Sequence, residues 1–142
     1  MNAVGIDVSK GKSMVAVLRP FGEIVASPFE VTHSGNELSE LAGKLKTLKG
    51  ETKVVIEATG NYHLPVAHSL YEAGLTVYTV HAQLIHDFGN NTIRKVKTDK
   101  ADALKIANYG LTNWLELPKF TPENDVTGKL KRTVYGKQNS LL

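Results

Sequence analysis

The fold of this chain is decided by six residues near its N-terminus, Ala3-Val4-Gly5-Ile6-Asp7-Val8. The stretch is apolar except for Asp7, and its length and composition predict a short buried strand. An ionised carboxylate in such a strand is costly unless it meets a cation, a hydrogen-bond network or solvent. Asp7 is therefore either a functional acid or an acid that points outward near the strand end, and these six residues leave both readings open.

The sequence that follows this strand predicts an antiparallel meander. Turn-forming residues at 9–12 lead into a second strand from Ser13 to Leu18. Arg19-Pro20-Phe21-Gly22 predict another turn, and a third strand covers Glu23 to Ser27. Three strands joined by two short turns are expected to pair antiparallel with their neighbours.

Beyond the meander, the pattern predicts helices that alternate with strands. The predicted elements are a helix from Ser34 or Asn36 to Gly50, a strand at Lys53–Ile56, a helix from Pro65 to Ala73, a strand at Leu75–Val80 and a helix from Asp99 past Leu111. A strand that follows a helix favours a parallel crossover connection. The order βββαβαβα therefore predicts an α/β fold with a mixed sheet, three antiparallel strands followed by parallel ones, and helices on its faces. This is an RNase H-like order.

Length and composition restrict the class of protein. The chain has 142 residues, of which 42% are hydrophobic and 22% charged, so one domain with a proper core is expected. No apolar run approaches the roughly 20 residues that cross a bilayer. The N-terminus lacks a signal-peptide pattern. We therefore expect no membrane partner. Cysteine is absent, which excludes disulfides and thiolate metal sites and fits a cytoplasmic location.

Three further acids occupy positions where a site could form. Glu57 follows the apolar run at 53–56, at the carboxyl end of a predicted parallel strand, where ligands collect in open α/β sheets. Asp99 and Asp102 share one helical face, with Cβ atoms about 5–6 Å apart. Each position also has a plainer explanation, since strands often end in a charged residue and paired acids cap helix N-termini.

The four acids together are more informative than any one of them. Mg²⁺ prefers oxygen ligands and usually takes one or two carboxylates together with water and substrate phosphate. Two such ions about 3.5–4 Å apart can stabilise the attacking and leaving oxygens of phosphoryl transfer. That chemistry requires acids that converge from separate elements. Asp7, Glu57, Asp99 and Asp102 are therefore candidate catalytic residues and metal ligands.

Basic residues are clustered, although the formal net charge is only +3. Arg94, Lys95, Lys97 and Lys100 crowd one short segment beside the predicted acid pair. Clustered cations can neutralise phosphates, which makes these four the candidate nucleic-acid-binding residues. A solvated lysine-rich surface is an equally acceptable interpretation of charge alone.

Three blocks of the sequence resemble the IS110-type (DEDD) transposases, a family that also includes the Piv-type DNA invertases. The blocks are Val4–Lys10, Glu57–Gly60 and Lys97–Ala103. The resemblance spans roughly residues 3 to 118 and implies a RuvC-like catalytic domain. It also implies that Asp7, Glu57, Asp99 and Asp102 form an acidic tetrad that binds one or two Mg²⁺ or Mn²⁺ ions.

The resemblance carries further expectations about partners and domains. It implies DNA as the substrate of transposition or site-specific recombination, a guide RNA in some members, and a homo-oligomer in the full-length enzyme. Family members also carry a C-terminal domain with a nucleophilic serine. We therefore expect residues 1–118 to form the catalytic domain and 119–142 to form a linker and the start of a helix that leads to that domain. Without the serine domain, the isolated chain is not expected to exchange strands.

Other interpretations of the sequence stay open at this point. One is a nuclease like the Holliday-junction resolvases, and another is a DNA- or RNA-binding or dimerisation module without chemistry of its own. An actin-like ATP-binding fold also begins with a strand-borne acid, as in Gly5-Ile6-Asp7, but it requires two RNase H-like halves. A P-loop is excluded because Ile6 stands where its first glycine is required. Tyr62 and His63 either line a DNA groove or pack at a helix start.

Overall fold

A computed structural model describes residues 1–58, 60–88 and 99–122 of the chain, with the side chain of Asp99 outside this description. The strands are β1 (Asn2–Ser9), β2 (Lys12–Arg19), β3 (Glu23–Thr32), β4 (Thr52–Ala58) and β5 (Thr76–His81). The helices are α1 (Gly35–Lys46), α2 (Leu64–Glu72), α3 (Ala82–Asp87) and α4 (Asp99–Thr112), with short 3-10 helices at Pro20–Gly22 and Trp114–Glu116.

The strands form one mixed sheet in the order β3-β2-β1-β4-β5. β2 pairs antiparallel with both β1 and β3. β4 pairs parallel with both β1 and β5. The predicted meander and the predicted parallel strands are therefore confirmed, and β1 and β4 lie at the centre of the sheet.

Two elements differ from the sequence prediction. β3 continues to Thr32, past Pro28, where the prediction ended at Ser27. The ladder between β2 and β3 shifts register near this proline, and β3 is an edge strand, which tolerates a residue without a backbone N–H. The helix at Ala82–Asp87 was not predicted, because six residues are too few to establish a helical period.

The first helix begins where a capping residue predicts it. The Ser34 hydroxyl accepts a hydrogen bond from the Glu37 backbone N–H at 3.2 Å. The Glu37 carboxylate in turn accepts from the Thr32 backbone N–H at 2.8 Å, and this bond lowers the pKa of Glu37. The first bond satisfies a backbone donor at the helix start, and the second ties α1 to Thr32 at the end of β3 instead of to the Ser34 N–H that a capping box would use.

Each face of the sheet is covered by helices and has its own apolar cluster. The larger cluster joins the sheet to α1 and α2, through residues that include Val4, Ile6, Leu41, Leu45, Val54, Ile56, Val66 and Leu70. The smaller cluster lies on the opposite face, beneath α3 and α4, and consists of Val55, Val80, Ile85 and Ile106. Successive strand residues point to opposite faces, which is why Ile56 and Val55 belong to different clusters.

Helix α4 lies directly on the backbone of the central strands. A Cβ atom built at Gly5 would stand 2.3 Å from both the Ala103 carbonyl oxygen and the Ala107 nitrogen. A Cβ at Gly110 would stand 2.8 Å from Val55 Cγ2 and 3.7 Å from Ala3 Cβ, and Ala3 precedes Gly5 in β1. Because the later residue of α4 contacts the earlier part of the sheet's central strands, α4 runs antiparallel to β1.

The residues after α4 pass around the edge of β5. Leu117 packs against the cluster beneath α4, whereas Phe120 is buried in the cluster on the other face. Between them, Lys119 forms an isolated bridge with Tyr78, and the Phe120 N–H donates to the Val77 carbonyl at 2.8 Å. We call residues 114–120 the C-terminal strap. Phe120 lies within the expected linker 119–142, of which residues 123–142 are outside the described part of the chain.

None of the helices in the described residues is both long enough and apolar enough to span a membrane.

Candidate acidic active site

Asp7 and Glu57 lie side by side on the two central strands. The parallel register pairs Ile6 with Ile56, so the next residue of each strand is Asp7 and Glu57. Adjacent strands are about 4.8 Å apart in a sheet, and in-register side chains of parallel neighbours point to the same face. The face is that of α4, because Gly5, two residues before Asp7, contacts α4. Both side chains are half-buried.

The antiparallel course of α4 brings its N-terminal turn to the same edge. Ala103 and Ala107 lie over Gly5, and two strand residues beyond Gly5 span about 6.6 Å, which is close to one helical turn. The turn that precedes Ala103 begins at Asp99 and contains Asp102. The first turn of α4 is therefore level with Asp7.

Helical spacing relates Asp102 to the sheet-facing side of α4. Ala103, Ile106 and Ala107 are fully buried between helix and sheet. Asp102 precedes Ile106 by four residues, so it continues the buried stripe by one turn, and its side chain is half-buried. The apolar stripe thus ends in an acid on the side where β1 and β4 carry Asp7 and Glu57 near their carboxyl ends.

The surroundings favour negative charge at this edge. The N-terminus of a helix carries a partial positive charge that stabilises nearby carboxylates. Asp7, Glu57 and Asp102 each have an interaction partner, so none of them is an isolated buried charge. The strand register places Asp7 and Glu57 next to each other, and the course of α4 directs the turn that carries Asp102 toward the same edge of the sheet.

The donor chemistry of this edge fits a hard divalent cation. Carboxylate oxygens are the ligands that Mg²⁺ and Mn²⁺ prefer, and the side chains of Asp7, Glu57 and Asp102 are each partly exposed. Among the described side chains, however, no group of three His, Cys, Asp or Glu residues is placed to hold one ion. The side chain of Asp99 is not among these described side chains. The four-ligand metal site therefore stays a prediction.

Cations flank the acids on α4. Lys100 is exposed on the first turn, and Lys105 donates from Nζ to the His86 carbonyl of α3 at 3.3 Å. The other predicted nucleic-acid-binding residues, Arg94, Lys95 and Lys97, lie outside the described residues.

Sequence reasoning overlooked two cations on the other side of the acids. Lys10 and Lys12 are exposed in the hairpin that directly follows the strand of Asp7. Gly11, with φ of +82°, makes this tight turn, and Lys12 forms a loose ion pair with Glu30 at 3.8 Å. Their position within five residues of Asp7 could have indicated a role beside the acids, but the sequence pattern at 9–12 was interpreted only as a turn.

A partly buried hydrogen bond holds this hairpin to His33, the residue that follows β3. The Ser13 hydroxyl lies 2.8 Å from His33 Nε2. Burial lowers the pKa of His33, and a hydrogen bond to the Lys12 backbone partly offsets this by raising it. The hairpin that follows Asp7 is therefore anchored by an imidazole that prefers its neutral form.

Tyr62 and His63, whose roles the sequence left open, have different environments in the structure. His63 is completely buried at the start of α2, where its carbonyl accepts from the Ala67 N–H at 2.9 Å. Tyr62, the preceding residue, is 52% exposed. His63 thus packs at the helix start, while Tyr62 presents an aromatic surface to solvent on the loop that follows the strand of Glu57.

Comparison of the sequence with profiles of known protein families assigns the chain to one of them. The sequence profile of the DEDD_Tnp_IS110 family, described as "Transposase", matches residues 4–140. The chain belongs to this transposase family. The resemblance inferred from the three sequence blocks is thereby confirmed, and the acidic edge described above is that of a transposase-family chain.

Two curated relatives of this transposase-family chain are pilin gene-inverting proteins. Those of Moraxella bovis and Moraxella lacunata are each 33% identical to it over 87 residues, which cover 60% of the chain. The match covers 27% of each relative, so the chain spans about a quarter of the length of the proteins it resembles.

Solved structures of Thermus thermophilus RuvC share the fold of this transposase-family chain. One, in complex with a Holliday junction substrate, has a TM-score of 0.57 at 13% identity and covers 84% of this chain and 99% of its own. Another RuvC structure has a TM-score of 0.53 at 16% identity, covering 84% and 100%. The predicted RNase H-like, RuvC-like fold is confirmed.

Proposed function

We propose that this chain is the metal-dependent, DNA-cleaving domain of an IS110-type transposase. The observation that carries the proposal is the in-register placement of Asp7 and Glu57 near the carboxyl ends of β1 and β4, on the face covered by α4, whose first turn contains Asp102. These acids come from β1, β4 and α4, elements far apart in sequence, and a nuclease site requires such convergence. Membership of the transposase family and the RuvC-like fold support DNA as the substrate.

The residues that would hold one or two Mg²⁺ or Mn²⁺ ions are Asp7, Glu57, Asp99 and Asp102. Such ions, when bound, stabilise charge on the scissile phosphate and lower the pKa of water. The chain's own contribution is to orient the acids from rigid elements beside the first turn of α4. The exposed cations Lys100, Lys10 and Lys12 would bind the phosphate backbone on either side.

Divalent-metal binding is tested by thermal unfolding of the chain with and without Mn²⁺. A cation that binds only the folded state stabilises it by about 2.7 kcal/mol at 100 times its Kd, so the melting temperature of the wild-type chain should rise. Asp7→Asn should abolish most of this rise. The matched control is Glu40→Gln, an exposed acid on α1 that should leave the rise unchanged. An Asp7→Asn chain that responds to Mn²⁺ like the wild type refutes the metal assignment.

DNA cleavage is tested with the same variants on branched and linear DNA. Mn²⁺-dependent nicking by the wild-type chain, lost in Asp7→Asn and Glu57→Gln and kept in Glu40→Gln, is the expected result. In the full-length enzyme, either substitution at the edge should abolish recombination while the fold stays intact. Recombination by such variants contradicts the proposed role of these acids.

A second candidate function is a nucleic-acid-binding or dimerisation module without chemistry of its own. It is favoured by the lack of a three-residue ligand group among the side chains of residues 1–58, 60–88 and 100–122. A chain that binds DNA and shows no nicking at any Mn²⁺ concentration would fit this candidate. Gel filtration reports in the same samples whether the chain forms a homo-oligomer, and addition of RNA tests for a guide.

A further inference from the structure

The most unusual buried group outside the acidic edge is Lys53, at the opposite end of β4. Its residue exposure is 8%. The ammonium lies 3.8 Å from the centroid of the Trp114 ring and 5.2 Å from that of Tyr78. It also donates a hydrogen bond to the Trp114 carbonyl at 2.8 Å. A lysine of β4 therefore binds the C-terminal strap at Trp114, just after the end of α4.

An apolar side chain would fill this space at lower cost. Burying a cation is expensive, and well-packed hydrophobic replacements of buried charges are often neutral or stabilising. What the lysine supplies is direction, because a hydrogen bond and a cation–π contact hold their partner at a defined distance and angle. Such a fixed geometry matters where the other contacts of a helix do not determine its orientation.

Ile106 of α4 packs into the cluster with Val55 and Val80, but the contact of α4 with β1 is made by small residues and provides little direction. Its members are Ala3, Gly5, Ala103, Ala107 and Gly110. Such surfaces allow backbones to approach closely but offer few side chains that interlock. At the N-terminal half of α4, the hydrogen bond of 3.3 Å from Lys105 to the His86 carbonyl is exposed and therefore weaker. The orientation of α4 accordingly depends on its anchored C-terminal end.

We propose that Lys53 is a positioning residue, which seats α4 through Trp114 and thereby holds Asp102 at the acidic edge. The inference rests on the proposed function, since it assigns Lys53 a role in a site that Asp102 helps to form. Twelve residues separate Trp114 from Asp102, about 18 Å along a helix. Over that length a pivot of about 3° displaces the first turn by roughly 1 Å. A displacement of this size can reduce catalysis about 100-fold.

The test compares Lys53→Met, Lys53→Arg and a stability control in the 142-residue chain. Methionine keeps the length of the stem and removes the charge, whereas arginine keeps both the donor and the cation–π contact. Leu45→Ala is the control, because Leu45 is buried in α1 on the other face of the sheet and its truncation lowers stability without touching α4.

The first readout is metal-free amide hydrogen exchange at Ala103 and Ala107. Exchange reports local opening, so a loosened α4 exposes these amides while α1 stays protected. We expect exchange at least tenfold faster in Lys53→Met than in Leu45→Ala at equal global stability, and wild-type rates in Lys53→Arg. Rates in Lys53→Met that follow global stability, as in the control, would mean that the lysine is merely structural.

The second readout is the Mn²⁺ concentration at the midpoint of the thermal shift. We expect at least a fivefold higher midpoint in Lys53→Met, restored by Lys53→Arg and unchanged in Leu45→Ala. An unchanged midpoint in Lys53→Met, with the wild type responding to Mn²⁺, overturns the link to Asp102. A wild type that does not respond to Mn²⁺ defeats the proposed metal function instead, and the exchange rates then decide alone whether Lys53 seats α4.

Discussion

Replacing Gly5 by alanine offers a direct test of how the acidic edge is assembled. The new Cβ would stand 2.3 Å from the Ala103 carbonyl oxygen and the Ala107 nitrogen, whereas ordinary contacts begin at 3.4 Å. The difference, 3.4 − 2.3, requires a separation of 1.1 Å between helix and strand. The opposing atoms belong to the backbone, so no side-chain rotation can relieve the overlap.

The expected cost follows from this displacement. Overpacking of a core typically costs about 1–3 kcal/mol, and a clash with backbone lies at the upper end of that range. For a domain of this size, that corresponds to a fall in melting temperature of about 4–12 °C. Because α4 carries Asp102, a retreat of about 1 Å should also raise the Mn²⁺ midpoint of the thermal shift and reduce DNA nicking by up to about 100-fold.

Calorimetry or circular-dichroism melting of Gly5→Ala, with and without Mn²⁺, measures both effects. The matched control is Gly43→Ala in α1, where a Cβ meets nothing within 4 Å. Alanine is the better helix former by about 1 kcal/mol, so this control should be slightly more stable than the wild type. If Gly5→Ala melts within about 1 °C of the wild type, the close seat of α4 on β1 is refuted.

Three further substitutions test other parts of the structure. His33→Gln should flatten the pH dependence of stability. Burial lowers the pKa of His33, so the unfolded chain binds the proton more readily, and wild-type stability, complete above about pH 6.5, should fall as the pH drops below that value. Melting temperatures that change in parallel for the variant and the wild type from pH 7.5 to 5 would contradict this expectation. Tyr62→Ser should change the melting temperature little and weaken single-stranded DNA binding by about 1–3 kcal/mol if the exposed ring stacks on a base, and equal affinities in a fluorescence titration would exclude that role. Phe120→Ala should lose about 3–5 kcal/mol of unfolding free energy in urea, because Phe120 is 2% exposed and packs edge-on against His68 at 5.3 Å, and a loss below about 1 kcal/mol would show that the strap contributes little.

The sequence was sufficient for the central strands and for the position of the acids along them. Asp7 and Glu57 interrupt or end apolar runs, and apolar runs of that length are recognisable without a structure. Ser34 marked the start of the first helix for a local reason, its hydrogen bond to the Glu37 N–H. These features depend on residues close together in the chain.

Features that depend on distant contacts were not predictable. Nothing in the local sequence distinguishes Gly5, which admits a helix backbone, from a glycine at a turn. Lys53 resembles any lysine at a strand start until Trp114, 61 residues later, covers it. The continuation of β3 past Pro28 depends on its position at the sheet edge. In each case the decisive partner is remote in the chain, and periodicity carries no information about it.

The C-terminal strap has a mechanical consequence for the acidic edge. Phe120 packs edge-on against the rings of both His68 and Tyr71, in the layer of helices on the far side of the sheet from α4. A pull applied to the polypeptide just after Thr121 would therefore load α2 and the larger apolar cluster first. The hydrogen bond from Lys53 to the Trp114 carbonyl would then resist the displacement a second time, before any strain reaches α4. A displacement of the chain after Thr121 must therefore disrupt the packing of Phe120 and then the Lys53–Trp114 contact before it can move Asp102.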